Sequence, residues 1–387
     1  MDYVKLKDVC AINMGQSPDS NSYNENGKGV PFFQGNADFG ERYPITRKWC
    51  SAPTKMAAPE DILISVRAPI GALNYAKEDC CIGRGLAALT PDKSKVSPEY
   101  IFWLLTSKNE ELNSKGTGST FKAIGRKALE ETLVPDISLE KQTEYSTILE
   151  KVYGVILSRK QELRKLDNLV KARFVEMFGD MYLNTMEWRE LHLETMADIV
   201  SGITKGRKIA GKQLTKVPYM AVSNVKDGYI DWTTVKTIEA TDQEINQYRL
   251  LPDDVLMTEG GDPDKLGRGA IIRTPLENCI HQNHIFRVRL DESHILPDYF
   301  TEYLKHQRAK RYFLGCAKQT TGIASINMKQ LKALPVLLPP VELQNEFSAF
   351  IRQIDKSKVV ESIHRMNVLF NITLNGGNRY DSGTNEF

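Results

Sequence analysis

The sequence predicts an α+β protein in which two tandem α/β domains are separated by two long antiparallel helices forming a coiled coil. Three observations carry this prediction. The second half of the chain repeats the first in order; each repeat opens with short apolar segments divided by Gly, Pro, Asn and Asp; and each closes in an apolar stripe stepping by four and three.

The repeat shows as a displacement that rises along the chain. Leu6, Ile12, Gly15 and Val30-Pro31 recur as Leu193, Ile199, Gly202 and Val217-Pro218, all 187 residues on. Pro59-Glu60-Asp61-Ile62-Leu63 answers to Pro252-Asp253-Asp254-Val255-Leu256, and Cys81-Ile82 to Cys279-Ile280. Pro98-Glu99-Tyr100 matches Pro297-Asp298-Tyr299, and Ile124, Leu129, Glu140 and Gln142 match Ile326, Leu331, Glu342 and Gln344. Loop insertions in the second copy account for the drift.

Within each copy, segments such as 61–66 and 254–258 read as strands between turn residues. Proline is well tolerated in the first turn of a helix, so Pro98 and Pro297 each open one. From residue 139 to 178 the stripe runs Tyr145, Leu149, Val152, Ile156, Leu163, Leu166, Val170 and Met177, and Gly179 stops it. A helix of that span is roughly 60 Å long, more than a domain of this size measures across. A second stripe has Leu343, Phe347, Phe350 and Ile354 on one face, then changes phase after Asp355-Lys356-Ser357-Lys358 and continues through Val359, Ile363, Met366 and Phe370. The expected organisation is therefore a first domain at 1–138, a central helix at 139–179, a second domain at 186–340, a second helix at 341–373 and a flexible tail at 374–387.

Composition excludes whole classes. With 387 residues, 41% hydrophobic and 26% charged, the chain is neither disordered nor fibrous, and no stretch approaches the roughly 18 apolar residues of a membrane span. The start carries no secretory pattern and the six cysteines no Cys-x-x-Cys spacing, so a cytoplasmic, reduced protein is expected. Fifty-one basic against 49 acidic residues leave a charge of +2, which gives no global field for a nucleic acid.

Catalytic constellations fail in turn. The stretches 202–206 and 260–269 lack the phosphate-loop spacing and its terminal Gly-Lys-Ser/Thr. The Pro339-Pro340 pair lacks the preceding Asn or Asp and following aromatic of an amino-methyltransferase. Asp253-Asp254, Glu259 and Lys265 imitate a metal-dependent nuclease without its spacing, and Cys279, His281 and His284 do not make a tetrahedral zinc set. No Gly-x-Ser-x-Gly elbow is present. Neither catalysis nor a metal is expected of this chain alone.

Two runs carry a resemblance: Leu63-Ile64-Ser65-Val66-Arg67-Ala68-Pro69-Ile70-Gly71 and Cys81-Ile82-Gly83-Arg84-Gly85-Leu86-Ala87-Ala88-Leu89. The junctions add to it, with Ile124, Leu129, Val134-Pro135 and Glu140-x-Gln142 repeated as Ile326, Leu331, Pro339-Pro340 and Glu342-x-Gln344, and a central helix ending Arg173-Phe174-Val175-Glu176-Met177-Phe178-Gly179-Asp180. The chain resembles the DNA specificity subunit of type I restriction-modification systems. The resemblance implies two target-recognition domains, each reading one half of a bipartite, asymmetric site on double-stranded DNA, with the helices as a ruler. It also implies two methyltransferase (modification) subunits docked on the helices and restriction subunits that are ATP-dependent translocase-nucleases. S-adenosylmethionine, ATP and Mg would then sit on those partners, with no cofactor or membrane for this chain. A protein-interaction scaffold that never touches DNA, and a self-contained restriction or methylation enzyme, stay open at this point.

Arginine suits guanine O6 and N7, and Asn and Gln suit adenine N6 and N7. In the first domain this selects Gln34 and Asn36 after Val30-Pro31-Phe32-Phe33, Arg67 at a strand end, Arg84 between two glycines, and Lys122 and Arg126 after Gly118. In the second it selects Ser223, Asn224 and Lys226, then Lys265 and Arg268, then Gln282, Asn283 and His284, and finally Lys318, Gln319 and Thr320. His281-Gln282-Asn283 in place of Gly83-Arg84-Gly85 points to two different half-sites.

Overall fold

The computed structural model describes residues 2–118, 122–208, 213–262, 266–320 and 323–358, with backbone alone at 319, 320 and 323. The chain divides into two compact units, Met1–Leu157 and Ser158–Phe387.

In the first unit, strands Cys10–Met14, Leu86–Pro91, Ile62–Ser65 and Leu73–Tyr75 form an antiparallel sheet in that order. All four residues of Ile62–Ser65 are buried, because the sheet is covered on both faces. Ile62 and Ile64 pack with Ile12, Leu89, Ile101, Leu105 and Leu129 on the helical face, while Leu63 packs with Phe33, Ile82 and Ala88 of a second sheet on the other. That second sheet orders Tyr23–Asn24, Trp49–Cys50, Val30–Phe33, Cys80–Ile82 and Met56–Ala57. Its pairing of Val30–Phe33 with Cys80–Ile82 is parallel. Pro98 opens a helix to Ser107, as expected, and the Ser97 hydroxyl caps it by accepting from the Tyr100 amide at 3.1 Å.

The second unit repeats the plan. Ala197–Ser201, Ile285–Leu290, Val255–Thr258 and Gly269–Ile271 take the same order, and Lys236–Ala240, Thr215–Met220 and Ile280–His281 form the other sheet, again with one parallel pairing. The two registers correct the sequence alignment by one residue. Phe32 faces Cys81 as Tyr219 faces Ile280, so Cys81-Ile82 corresponds to Ile280-His281 and not to Cys279-Ile280.

Duplication reaches single hydrogen bonds. Buried Gln142 accepts from the Ser97 amide at 2.9 Å and donates to the carbonyls of Lys95 and Ile137 at 3.2 and 2.9 Å. Buried Gln344 accepts from the Leu296 amide at 2.9 Å and donates to His294 and Pro339 at 3.1 and 2.8 Å. Each glutamine therefore satisfies three backbone groups where a long helix leaves its domain.

The first long helix is Leu139–Phe178, ended by Gly179 at φ +75°. Of its predicted stripe, Val170 and Met177 are buried, Tyr145, Val152, Ile156, Leu163 and Leu166 are half-buried, and Leu149 is exposed. Two aromatic residues off the stripe are the deeper anchors in the second unit: Phe174 and Phe178 are fully buried against Tyr299 and Phe347. The second long helix is described over 341–358, with Phe347 and Ile354 buried. Its predicted continuation through Val359, Ile363, Met366 and Phe370, and the tail at 374–387, lie outside the described residues.

Replacing either glutamine by leucine leaves three backbone groups unpaired, so Gln142→Leu and Gln344→Leu are each expected to cost about 3 kcal/mol or more in their own unit. Denaturant unfolding with a probe in each unit checks this; a loss below about 0.5 kcal/mol contradicts the anchoring role.

Candidate nucleic-acid interface

Parallel strands leave a sheet at the same end, so the turns after Phe33 and Ile82 lie side by side. The Gly83 amide donates to the Phe33 carbonyl at 2.8 Å and the Gly85 amide to the Gln34 carbonyl at 3.1 Å. Glycine is required there, since a Cβ on Gly85 would stand 2.5 Å from the Gln34 carbonyl oxygen. The result is a cleft of about 240 Å³ lined by Gln34, Gly35, Asn36, Ser65, Arg67, Ala68, Arg84 and Gly85. Four residues selected from the sequence thus share one cleft.

Their side chains differ in freedom. Arg67 and Arg84 are exposed, and neither guanidinium has a hydrogen bond or ion pair among the described residues. Lys122 is exposed beside Arg67, its carbonyl accepting from the Ala68 amide at 3.0 Å. Gln34 is held by Ser17, whose hydroxyl accepts from Nε2 at 2.9 Å and from the Arg84 amide at 3.3 Å. Sequence reasoning missed Ser17, which is distant in sequence from both residues it braces. Arg126 is a correction: its Nε donates to Glu130 at 3.0 Å and its Nη2 to the Ile12 carbonyl, so it fastens a helix to a strand rather than facing a ligand.

In the second unit the Gln282 amide donates to Met220 at 3.0 Å, as Gly83 does to Phe33. Gln282, Asn283 and His284 therefore replace Gly83, Arg84 and Gly85, and His281 takes the place of Ile82. The Glu259 amide donates to the His284 carbonyl at 3.0 Å as Val66 does to Gly85, so Gly260 stands where Arg67 does. No arginine occupies either position. His284 is exposed and pairs with Glu259 at 2.5 Å, and Gln282 accepts from the Val222 amide at 3.4 Å. Glu259 was missed as an interface residue because its carboxylate reads, in sequence, as one of a loose acidic group.

Asn224 is a second correction. It is fully buried, accepting from the Ala221 amide at 2.9 Å and donating to the Asp231 carbonyl at 2.9 Å, the task Asp38 performs for Gln34 and Gly35 in the first unit. A buried framework residue cannot face DNA. Lys226 lies 3.9 Å from Asp231 and Ser223 is exposed. Arg268 is half-buried, its Nε buried and without a partner among the described residues. Lys318 is exposed on strand Lys318–Thr320, while the side chains of Gln319 and Thr320, and Lys265 altogether, lie outside the described residues.

Buried polar groups account for the remaining candidates. Burial pushes the Cys279 thiol up to about 12, so it stays a neutral core residue. His281 is likewise buried, with its ring nitrogens 3.1 and 3.3 Å from the carbonyls of Tyr248 and Val200. Burial, reinforced by the nearby Arg287, outweighs those carbonyls and brings its pKa down to about 4. Among the described residues no group of three or more His, Cys, Asp or Glu could hold a metal, and no helix is long and apolar enough to cross a membrane.

The chain matches the type I restriction modification DNA specificity domain over residues 1–168 and again over 186–367. It belongs to that family. Over 160 residues the chain is 41% identical to a putative type I restriction enzyme MjaX specificity subunit of Methanocaldococcus jannaschii, a match covering 41% of this chain and 38% of that protein. The chain thus spans well under half the length of that relative. Over 319 residues it is 23% identical to the type I restriction enzyme EcoKI specificity subunit of Escherichia coli K12, covering 77% and 68% of the two chains. The crystal structure of a type-I restriction-modification system S subunit from M. genitalium aligns with a TM-score of 0.55 over 96% of this chain and 94% of that one, at 14% identity, and shares the fold.

A neutral buried His281 gives a testable pH dependence. Between about pH 6.5 and 4 the unfolded chain binds a proton that the folded second unit does not, so stability falls as pH falls through that window. The second unit is expected to lose about 2 kcal/mol from pH 7.5 to 5, and His281→Gln to remove that part of the slope. Urea unfolding at the two pH values checks it; equal slopes in both proteins contradict it.

Proposed function

We propose that this chain is the non-catalytic specificity subunit of a type I restriction-modification enzyme, working in the cytoplasm. Target-recognition domains at 1–138 and 186–340 each read one half of a bipartite, asymmetric site on double-stranded DNA. The single observation that carries this reading is the duplicated cleft frame, matched twice by the specificity-domain family, with Arg67 and Arg84, unpaired among the described residues, in one copy and Asn283, His284 and Glu259 in the other. An unpaired guanidinium beside a backbone held back by glycine suits both a phosphate and a guanine edge.

The helix Leu139–Phe178 and the helix described over 341–358 pair antiparallel, set the spacer and dock two modification subunits. Support comes from the second unit alone: Phe347 packs on Phe174 and Phe178, while Lys358, eleven residues further on, meets Asp167 at 2.8 Å. The methyl transfer and cleavage chemistry, with S-adenosylmethionine, ATP and Mg, resides on the modification and restriction subunits.

Duplex binding by the complex of this chain with its modification subunits tests the reading. Affinity is expected to fall steeply between about 50 and 200 mM salt. Arg67→Ala and Arg84→Ala should each lower the salt slope by about one where they meet phosphate, or relax one guanine position by about 1–3 kcal/mol where they meet a base. Arg126→Ala should leave both unchanged and lower only the stability of the first unit. Binding with no salt slope and no sequence preference contradicts the proposal.

A further inference from the structure

The hairpin that follows the Asn36–Asp38 turn carries Arg42, whose guanidinium occupies a box of four rings. Its carbon lies 4.4 Å from the ring centroid of Phe102, 5.0 Å from Tyr153, 5.2 Å from Trp103 and 5.4 Å from Tyr75. Glu150 closes the box, accepting from Arg42 Nη2 and, at 2.9 Å, from Trp103 Nε1. Glu150 and Tyr153 belong to the long helix Leu139–Phe178, and the Tyr153 hydroxyl donates to the Glu41 carbonyl at 3.1 Å. One side chain therefore pins the hairpin to the helix within the first unit.

The other end of the hairpin is the cleft. Asp38 accepts from the Gln34 amide at 2.7 Å, and its carbonyl accepts from the Ile45 amide at 2.8 Å. Between them, Gly40 exchanges two hydrogen bonds with buried Asn74, at 3.0 and 3.1 Å. A short rigid path thus connects Gln34 and Asn36 to Arg42 and the helix.

An arginine is a poor choice if the box serves stability alone. The side chain is only 18% exposed and its Nη1 is buried without a hydrogen-bond partner among the described residues, whereas an apolar side chain would fill the same space with no desolvation cost. A planar fork that must meet ring faces and a carboxylate at once admits one placement of the hairpin. The second copy keeps the hairpin, the Lys226 amide donating to Tyr229 as Gly40 does to Tyr43, but has Gly228 at φ +81° in place of Arg42. The device is specific to the first unit.

We propose that Arg42 is a positioning residue that fixes the first unit's cleft on the long helix and so makes the complex strict about the spacer between half-sites. The inference rests on the functional reading above. One added base pair moves a half-site by about 3.4 Å and turns it by about 35°, a displacement that a loosened hairpin would absorb.

The test uses complexes of the modification subunits with wild type, Arg42→Lys, Arg42→Ala and Glu150→Gln. Each is given duplexes carrying the wild-type split motif with its own spacer or one base pair longer or shorter, and each is melted in parallel. Arg42→Lys keeps the charge but not the fork or the stacking. It is expected to keep its melting temperature and its base preferences within each half-site while losing spacer discrimination by at least about fivefold, equivalent to about 1 kcal/mol. A folded Arg42→Lys with wild-type discrimination overturns the inference. If Arg42→Ala does not fold, Arg42→Lys and Glu150→Gln decide the matter. A wild-type complex that reads no split motif overturns the functional proposal itself, and this inference with it, and is told apart by being seen before any substitution is made.

Discussion

Each unit depends on one parallel strand pairing, Val30–Phe33 with Cys80–Ile82 in the first and Thr215–Met220 with Ile280–His281 in the second. Because the paired strands end together, two chain-distant turns are forced into contact, and a third segment closes on them. Gly15 and Gly202 allow that closure: a Cβ would stand 2.2 Å from the Gly83 carbonyl oxygen at the first and 2.0 Å from that of His281 at the second. Backbone groups thus build the cleft, which leaves its side chains free to differ. That separation of frame from lining explains how one duplicated fold can present two unlike surfaces.

Charge follows the same logic. A net charge of +2 provides no long-range field, so the electrostatic character must be local. Arginines away from the clefts are largely committed to partners: Arg207 to Glu244, Arg289 to Asp254, Arg273 to Asp253 and Asp298, Arg287 to Asp198. Arg67 and Arg84 have no such partner among the described residues, a freedom they share with Arg189, Arg249 and Arg352, and what sets them apart is that both line the first unit's cleft. In the second unit the corresponding lining is an amide and a histidine–carboxylate pair, which offers donors and acceptors together where the two guanidiniums offer donors alone.

The duplication, the span of the first long helix and the helix starts at Pro98 and Pro297 were legible because they are written in spacing, and the buried glutamines in Glu140-x-Gln142 and Glu342-x-Gln344 marked both junctions. The cleft was legible in part: Gln34, Asn36, Arg67 and Arg84 share a neighbourhood because strand-end polar residues beside glycines point outward. What failed had a physical cause each time. Asn224 looks like a reader until its buried turn is seen, Arg126 until its carbonyl partner 114 positions away is found, and the one-residue slip at Cys81 reflects a cysteine match that strand register overrules. Phe174 and Phe178 lay off the heptad stripe yet form the deepest contact of the long helix with the second unit. Partners distant in the chain leave no local signal.

The central claim is that one chain holds two different readers in one repeated frame. Adenine methylation mapped across the genome of a cell containing this chain, its modification subunits and no other modification system tests it most directly. The account predicts a split motif with two unlike halves and an unspecific gap, lost when this chain is deleted. A continuous motif, two identical halves, or methylation unchanged by the deletion would contradict it.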